Sequence, residues 1–365
     1  MDPNAPAELP SPPSQPPEPP YIMAESVQRS VPAPLRKRSR FGTLLVIILL
    51  LALGGSALLN IMLLVTNFPF ESERRVREKF FSHSRFASDK VAILSIRGVI
   101  LGREDGFVKR QIEQAIKDTS VKAVVLRVDS PGGTVSGSDY YYHHLTKLAK
   151  ERNIPLVVSM GGEAASGGYY VSMAVGSTPD SIYAEPTTWT GSLGVIIPHY
   201  NVAGLLDHVG VKEDAVTSGR LKNMGSFARP MSDEERRLFQ ALVNDGFTRF
   251  KDVIKQGRPR FQQHPEALDE IATGQIFTAE QAKKNGLVDR IGYIEDAIDR
   301  AIELAGLDPD NVRVVKYNPE FGLFETLFGL ESRRPGFDLA AFLDLNSPRA
   351  YYLSTRLPLM ISSQE

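Results

Sequence analysis

Val158–Tyr170, VSMGGEAASGGYY, is the stretch on which the fold turns. PLVVSM (155–160) has the length and branched apolar content of a buried strand. It leads into a turn of small residues, after which a helix opens at Ser166. At such a corner the strand end fixes the turn, and the helix N-terminus presents free N–H groups and a partial positive charge. Gly161, Gly162, Ala164, Ala165, Gly167 and Gly168 leave room for another backbone to approach. A serine there is exposed beside donors able to hold an oxyanion. The same small residues also suit plain helix–strand packing, so the corner alone does not choose between catalysis and architecture.

On either side of the corner the chain alternates strands with helices. VAILSIRG (91–98) and VKAVVLRVDS (121–130) read as strands, and Phe107, Val108, Ile112, Ala115 and Ile116 between them recur at helical spacing. PGGT (131–134) reads as an exit loop, 136–152 as a helix, and SIYAE and WTGSLGVII as two short strands. This is the pattern of βαβ units on a mostly parallel sheet, whose ligands sit at the carboxyl ends of the strands. The PGG and AASGG loops both lie at such ends and should face one crevice. Further on, Ser232 with Glu235 is a capping box opening a helix over 232–256. Thr278 with Gln281 is a second box, closed by Gly286, and YIEDAIDRAIELAGL is a last helix. From about Pro309 the chain reads as an irregular tail.

The 365 residues carry a net charge of −1 and no cysteine, which argues against a polyanionic partner and excludes disulfides and a Cys nucleophile. The six histidines show no HExxH or other close ligand spacing, so neither metal nor cofactor is expected. The proline-rich residues 1–34 read as an extended tail. After LRKRSR (35–40) no charged residue occurs until Glu71, a run long enough to span a bilayer. Arg36, Lys37, Arg38 and Arg40 place the N-terminus in the cytoplasm and the rest outside. Against this, Arg74, Arg75, Arg77 and Lys79 crowd the other flank. The resulting division is a tail (1–40), a transmembrane helix (41–66), a linker (67–88), a catalytic domain (89–310) and a C-terminal tail (311–365). That last tail either lies in a neighbour's groove or on the membrane, or is partly disordered.

A serine nucleophile needs a base. His143 and His199 could supply one through space, and so could a lysine kept neutral by burial. Lys222 in TSGRLKNMGS (217–226) is the lysine in question, although a loop lysine is ordinarily solvated.

RVDSPGG, EAASGGYYVS, TGSLGVI, SGRLKNMGS and QIFTAEQAKKNGLVDRIG occur in that order. Together they resemble the signal peptide peptidase A family over about residues 88–310, in its short, membrane-anchored form. The resemblance implies a Clp protease/crotonase-like α/β fold with a mostly parallel sheet, preceded by one transmembrane helix. It implies Ser166 as nucleophile, Lys222 as general base, Ser192 as the serine that steers the lysine, and Gly132, Gly133 and Gly167 as the oxyanion site. Lys222 is followed by Asn223 where the family often has Asp. The family's substrates are extended apolar peptides such as remnant signal peptides, and its members form homo-oligomeric rings whose sites are shared between neighbours. Met160, Met224, Leu193 and Val195 are candidates for an apolar lining. A crotonase-like acyl-CoA enzyme and a non-catalytic membrane scaffold are the competing readings.

Overall fold

The computed structural model describes residues 40–67, 76–319 and 350–353. The chain divides into two units, residues 1–70 and 71–365. The first holds a single described helix, α1 (Arg40–Asn67), whose side chains are described at 44–57, 59 and 60. Among the described residues no helix is long and apolar enough to cross a membrane.

The second unit runs β1 (Val76–His83), β2 (Lys90–Arg97), α2 (Phe107–Lys117), β3 (Val121–Ser130), β4 (Gly132–Thr134), α3 (Val135–Arg152), β5 (Leu156–Ala165) and α4 (Gly167–Ser172). Next come β6 (Ile182–Ala184), β7 (Trp189–Gly191), α5 (Ala203–His208), α6 (Asp233–Gly257), α7 (Arg260–Gln263), α8 (Pro265–Ile271) and β8 (Ile276–Thr278). It ends with α9 (Ala279–Asn285), β9 (Arg290–Ile291), α10 (Ile294–Leu304), β10 (Arg313–Pro319) and β11 (Tyr351–Leu353). The main sheet has the order β1-β10-β2-β3-β5-β6-β9 and is parallel from β10 to β9; β1 is antiparallel to β10. β7 continues beside the far end of β5, and β8 pairs antiparallel with β7.

Both faces of the sheet are buried over its centre, as a parallel sheet requires. Leu94, Ile96, Leu126, Val128 and Val158 point to the face covered by α2, α3, α4 and α6. Val91, Ile93, Val125 and Val157 point to the other, where Ala297, Ile298, Ala301 and Ile302 of α10 cover them. Each fully buried branched side chain contributes about 1.5–3 kcal/mol. Both capping boxes form: Ser232 with Glu235 opens α6, and Thr278 with Gln281 opens α9, which stops at Gly286 with φ of 78°.

Four stretches differ from their sequence reading. The strand at 155–160 runs on to Ala165, because Gly161 and Gly162 stay out of the positive-φ region and remain extended. The Thr188 hydroxyl donates to the Gly161 carbonyl there, and the Asp129 carboxylate accepts from the Glu163 N–H. PGGT is not an exit loop: Gly132–Thr134 is a strand, because β11 supplies a partner. The stretch read as a linker contains β1, and the stretch read as an irregular tail contains β10, which inserts between β1 and β2. The remainder of the N-terminal tail and most of 311–365 lie outside the described residues.

Candidate active site

Ser166 sits between the end of β5 and the start of α4 with φ 53° and ψ −110°. That strained backbone is locked from both sides. Its N–H donates to the Gly191 carbonyl at 2.8 Å, and its carbonyl accepts from Tyr170 N–H at 2.9 Å. Such conformations cost about 1–3 kcal/mol and persist where the surroundings over-determine them. Sequence reading placed Ser166 on the surface; it is 1% exposed. Its Oγ is buried and has no hydrogen-bond partner among the described residues.

Ser192 lies beside it for a topological reason. Ala165 pairs with Gly191 across β5 and β7, and each serine is the next residue along its strand. Ser192 is also at positive φ, 50°, and its N–H donates to the Gln275 carbonyl at 2.7 Å. Gly191 cannot be replaced cheaply: its φ is 84°, and a Cβ there would stand 2.5 Å from the Phe277 ring.

The glycines crowd the same corner. A Cβ on Gly167 would lie 3.0 Å from Gly133 N and 2.4 Å from Ser138 Oγ. A Cβ on Gly132, whose φ is 104°, would lie 2.7 Å from Gly167 N. Gly132 N–H donates to Ser130 Oγ at 3.1 Å and is therefore occupied. Gly167 N–H, at the first position of α4, has no partner within its own helix.

β11 lies along β4, with Tyr351 opposite Thr134, Tyr352 opposite Gly133 and Leu353 opposite Gly132. On its other side Tyr351 exchanges both backbone bonds with Ile196, at 2.8 and 2.9 Å. The antiparallel alternation then turns the Tyr352 N–H and carbonyl toward Gly133. That carbonyl comes within 2.0 Å of where a Gly132 Cβ would stand. The Tyr352 ring is fully buried, stacked on Tyr170 with centroids 5.0 Å apart and tilted against Phe250 at 4.5 Å; its hydroxyl donates to the Gly246 carbonyl at 2.8 Å. Burial first, and then the Asp139 carboxylate that accepts its proton at 2.5 Å, push the Tyr170 hydroxyl far above the usual tyrosine range. Sequence reasoning missed this aromatic nest, because Tyr170, Phe250 and Tyr352 are far apart in the chain.

Lys222 is not brought to Ser166. It is exposed, in a turn closed by its own N–H on the Gly219 carbonyl at 3.0 Å, and its ammonium has no bonded partner among the described residues. The arm carrying it is fastened to the body through Arg229, which donates to the Asn223 carbonyl at 2.8 Å and to the Glu235 carboxylate. The arm exposes Tyr200, Leu205, Val209, Val211, Val216 and Phe227. Of the proposed lining, Met160 and Leu193 are fully buried core residues, and Met224 and Val195 are half-buried. None of the histidines bonds Ser166 Oγ, and among the described residues no group of three or more His, Asp or Glu could hold a metal ion.

The model of peptidase family S49 matches residues 148–308. Putative protease slr0021 of Synechocystis sp. is 36% identical over 244 residues, covering 67% of this chain and 84% of that protein. The putative signal peptide peptidase SppA of Enterococcus faecium is 38% identical, over 58% of this chain and 63% of its own. Protease 4 of Salmonella typhi is 38% identical over 60% of this chain but only 35% of its own length.

Proposed function

This chain belongs to the signal peptide peptidase A family, peptidase family S49, and is a serine-type peptidase; on that premise we propose that it cuts extended apolar peptides with a Ser166–Lys222 dyad assembled between two copies. The observation that carries this reading is Ser166 Oγ, buried and without a partner among the described residues at a strained corner beside β4, a strand that already bears a paired peptide segment. A substrate would lie as β11 does. Its carbonyl would take the place of the Tyr352 carbonyl, between the N–H groups of Gly133 and Gly167, each donor being worth about 3 kcal/mol in the transition state.

In the proposed reaction, neutral Lys222 Nζ takes the Ser166 proton as Oγ attacks the peptide carbonyl, and returns it to the leaving amine. Water then hydrolyses the acyl-enzyme. Ser192, one residue past the paired Gly191, holds the lysine in line. An amine must be shielded from water to act as a base near neutral pH. Lys222 is exposed in a single chain, and in this proposal the shielding comes from another copy. The apolar side chains exposed along its arm support such a contact. The oligomer, the peptide class and the absence of any cofactor in the chemistry are parts of this proposal.

α1 is proposed as the membrane anchor. The described part of it falls short of a span, and the proposal rests on the uncharged sequence 41–70 and on the exposed apolar side chains from Leu44 to Leu53. The basic residues 36–40 would keep the N-terminus in the cytoplasm, with the peptidase unit on the outer side of the inner membrane.

Mixing two inactive variants tests the shared dyad. Ser166→Ala and Lys222→Ala chains should each fail to cut an apolar peptide, and activity should return on co-assembly. Turnover by Lys222→Ala alone, or failure of a properly assembled mixture to regain any, would refute it.

A further inference from the structure

The basic run 74–79 sits on the wrong flank for a simple reading of membrane topology, and two of its residues, Arg77 and Lys79, fall in β1. Arg77 and Lys79 point to one face of β1. Lys79 pairs with Lys316 and Arg77 with Asn318 on β10. Lys316 stands beside Ile93 of β2, Ser95 beside Arg127 of β3, and Arg97 beside Asp129. Paired residues share a face, so Arg77, Lys79, Arg97, Arg127 and Lys316 converge on one side of the sheet. It is the α10 side, where Val91, Ile93, Val125 and Val157 are covered.

Among the described residues, Glu185 and Asp129 are carboxylates that stand against these cations. Glu185 is taken by Arg127 at 2.5 Å, and Asp129 accepts from Glu163 N–H. Arg77, Lys79 and Arg97 are exposed. The charges crowd one another: burial first, and then Arg97, Arg127 and Lys79, push the Lys316 ammonium below the usual lysine range. Ser95 Oγ, in the middle of the array, is buried with no partner among the described residues. A surplus of cations around an unpartnered hydroxyl lacks its counter-anion.

We infer that this sheet face, formed by Arg77, Lys79, Arg97, Arg127 and Lys316, docks the peptidase unit onto the anionic phosphate headgroups of the bilayer that holds α1. The inference rests on the anchor proposed above. Residues 68–75 alone join α1 to β1, and so short a chain reaches under ~30 Å even when extended. Arg74 and Arg75 lie within that join in sequence, together with Glu71 and Glu73. A cluster of cations next to a membrane helix is the arrangement that anionic lipid attracts, at about fivefold in binding per charge. Docking would hold the unit at the surface where peptides emerge from the membrane.

The chain has no cysteine, so one introduced cysteine reports one place. Full-length protein carrying Asn318→Cys, or Glu280→Cys as an exposed control on α9, is labelled with a fluorophore. It is then placed, one chain per disc, in lipid nanodiscs with a headgroup quencher. The label at 318 should be quenched in discs containing phosphatidylglycerol and not in pure phosphatidylcholine, and the label at 280 in neither. Paired neutralisation, Lys79→Gln with Lys316→Gln, should lower the docked-to-free ratio about 25-fold. Salt at ~1 M, with a Debye length of ~3 Å, should abolish docking. The paired variant should still cut peptide in detergent, which shows that it folds.

Equal quenching in both lipids, or wild-type behaviour of the paired variant, would overturn the inference. So would quenching that needs a second chain in the disc, which would make the face an interface between copies. Release by millimolar inorganic phosphate would also overturn it, by making the face a discrete phosphate site. Retention in neutral discs at high salt reads the anchor separately. A chain retained there without lipid-dependent quenching loses this inference alone, whereas a chain washed out loses the anchor and this inference together.

Discussion

Glu235→Gln asks whether charge holds the Lys222 arm to the body. The Glu235 carboxylate, buried at the first turn of α6, takes the Arg229 guanidinium on both oxygens at 3.0 and 2.5 Å and the Ser232 N–H at 2.8 Å. Arg229 in turn grips the Asn223 carbonyl, one residue from Lys222. The Arg229 bond, and after it the Ser232 N–H, lower the Glu235 carboxyl from 4.5 to about 2. That gap corresponds to about 3–4 kcal/mol before screening. The Arg229 side chain is 36% exposed, and solvent screening brings the figure to about 1–2 kcal/mol. A folded-state pKa below the unfolded one stabilises above pH ~4.5 and stops doing so as pH falls toward 2. Glutamine keeps the capping box and removes only the charge. In thermal unfolding of the full chain in detergent, the variant should melt ~2–6 °C below wild type at pH 7. The difference should shrink steadily below pH 4.5 and close near pH 2, and the variant should lose peptidase activity at neutral pH. A melting gap that stays constant across this range, or widens in acid, would refute the latch.

Gly132→Ala places a Cβ at φ 104° against the backbone of whatever strand occupies β4. The fold should survive a strain of about 1–3 kcal/mol, while peptide turnover falls by more than ~100-fold; normal turnover with normal circular dichroism would count against β4 as the substrate strand. Deleting residues 350–365 vacates the groove, so KM for an added apolar peptide should drop, and an unchanged KM would mean that β11 does not occupy it in solution. Asp289→Ala strands the buried Arg258, paired at 2.7 Å, and removes the acceptor for Ser181 N–H and Ile182 N–H. The cost should be ~3–5 kcal/mol, a fall in melting temperature of roughly 10 °C, and a loss under 1 kcal/mol would show the pair to be well hydrated.

What could be read ahead of the structure was local. β3 and β5 are unbroken apolar runs, and α6 and α9 announce themselves by capping boxes, because those signals act within a few residues. β1 was hidden: Arg77 and Lys79 are exposed, so VREKFFSH looks solvated although Val76, Glu78 and Phe80 between them are half-buried. β10 is itself apolar, but its place between β1 and β2 depends on a pairing more than two hundred residues away in sequence, which no local pattern encodes. Gly161 and Gly162 looked like a turn because glycine permits one, yet they are extended. Ser166 could be singled out from its corner. Ser192, Gly132 and Gly133 could be assigned roles only through a family resemblance, since their proximity is made by the β5–β7 and β4–β11 pairings. The burial expected at Lys222 is missing within one chain, because exposure of a loop side chain is set by tertiary surroundings that no local pattern encodes.

The proposed dyad therefore has two halves of opposite character. The Ser166 half is finished within one chain: the backbone is strained into place, the Gly133 and Gly167 backbones crowd the same corner, and Tyr170 is fully buried beneath β11. The Lys222 half is exposed, polar at its tip and apolar along its arm. A lone chain would then hold a nucleophile without a base, and the lysine would meet the serine only when an apolar arm found a second surface to cover it. Coupling deprotonation to assembly in this way would keep a peptidase inert during synthesis and insertion, when partly folded chains offer many extended apolar segments. It also predicts a concentration law: specific activity should rise with surface density of the chain in a bilayer and level off once copies are saturated. Activity per chain that is independent of density, down to one chain per disc, would show that the base is supplied in cis and that the arm folds back instead.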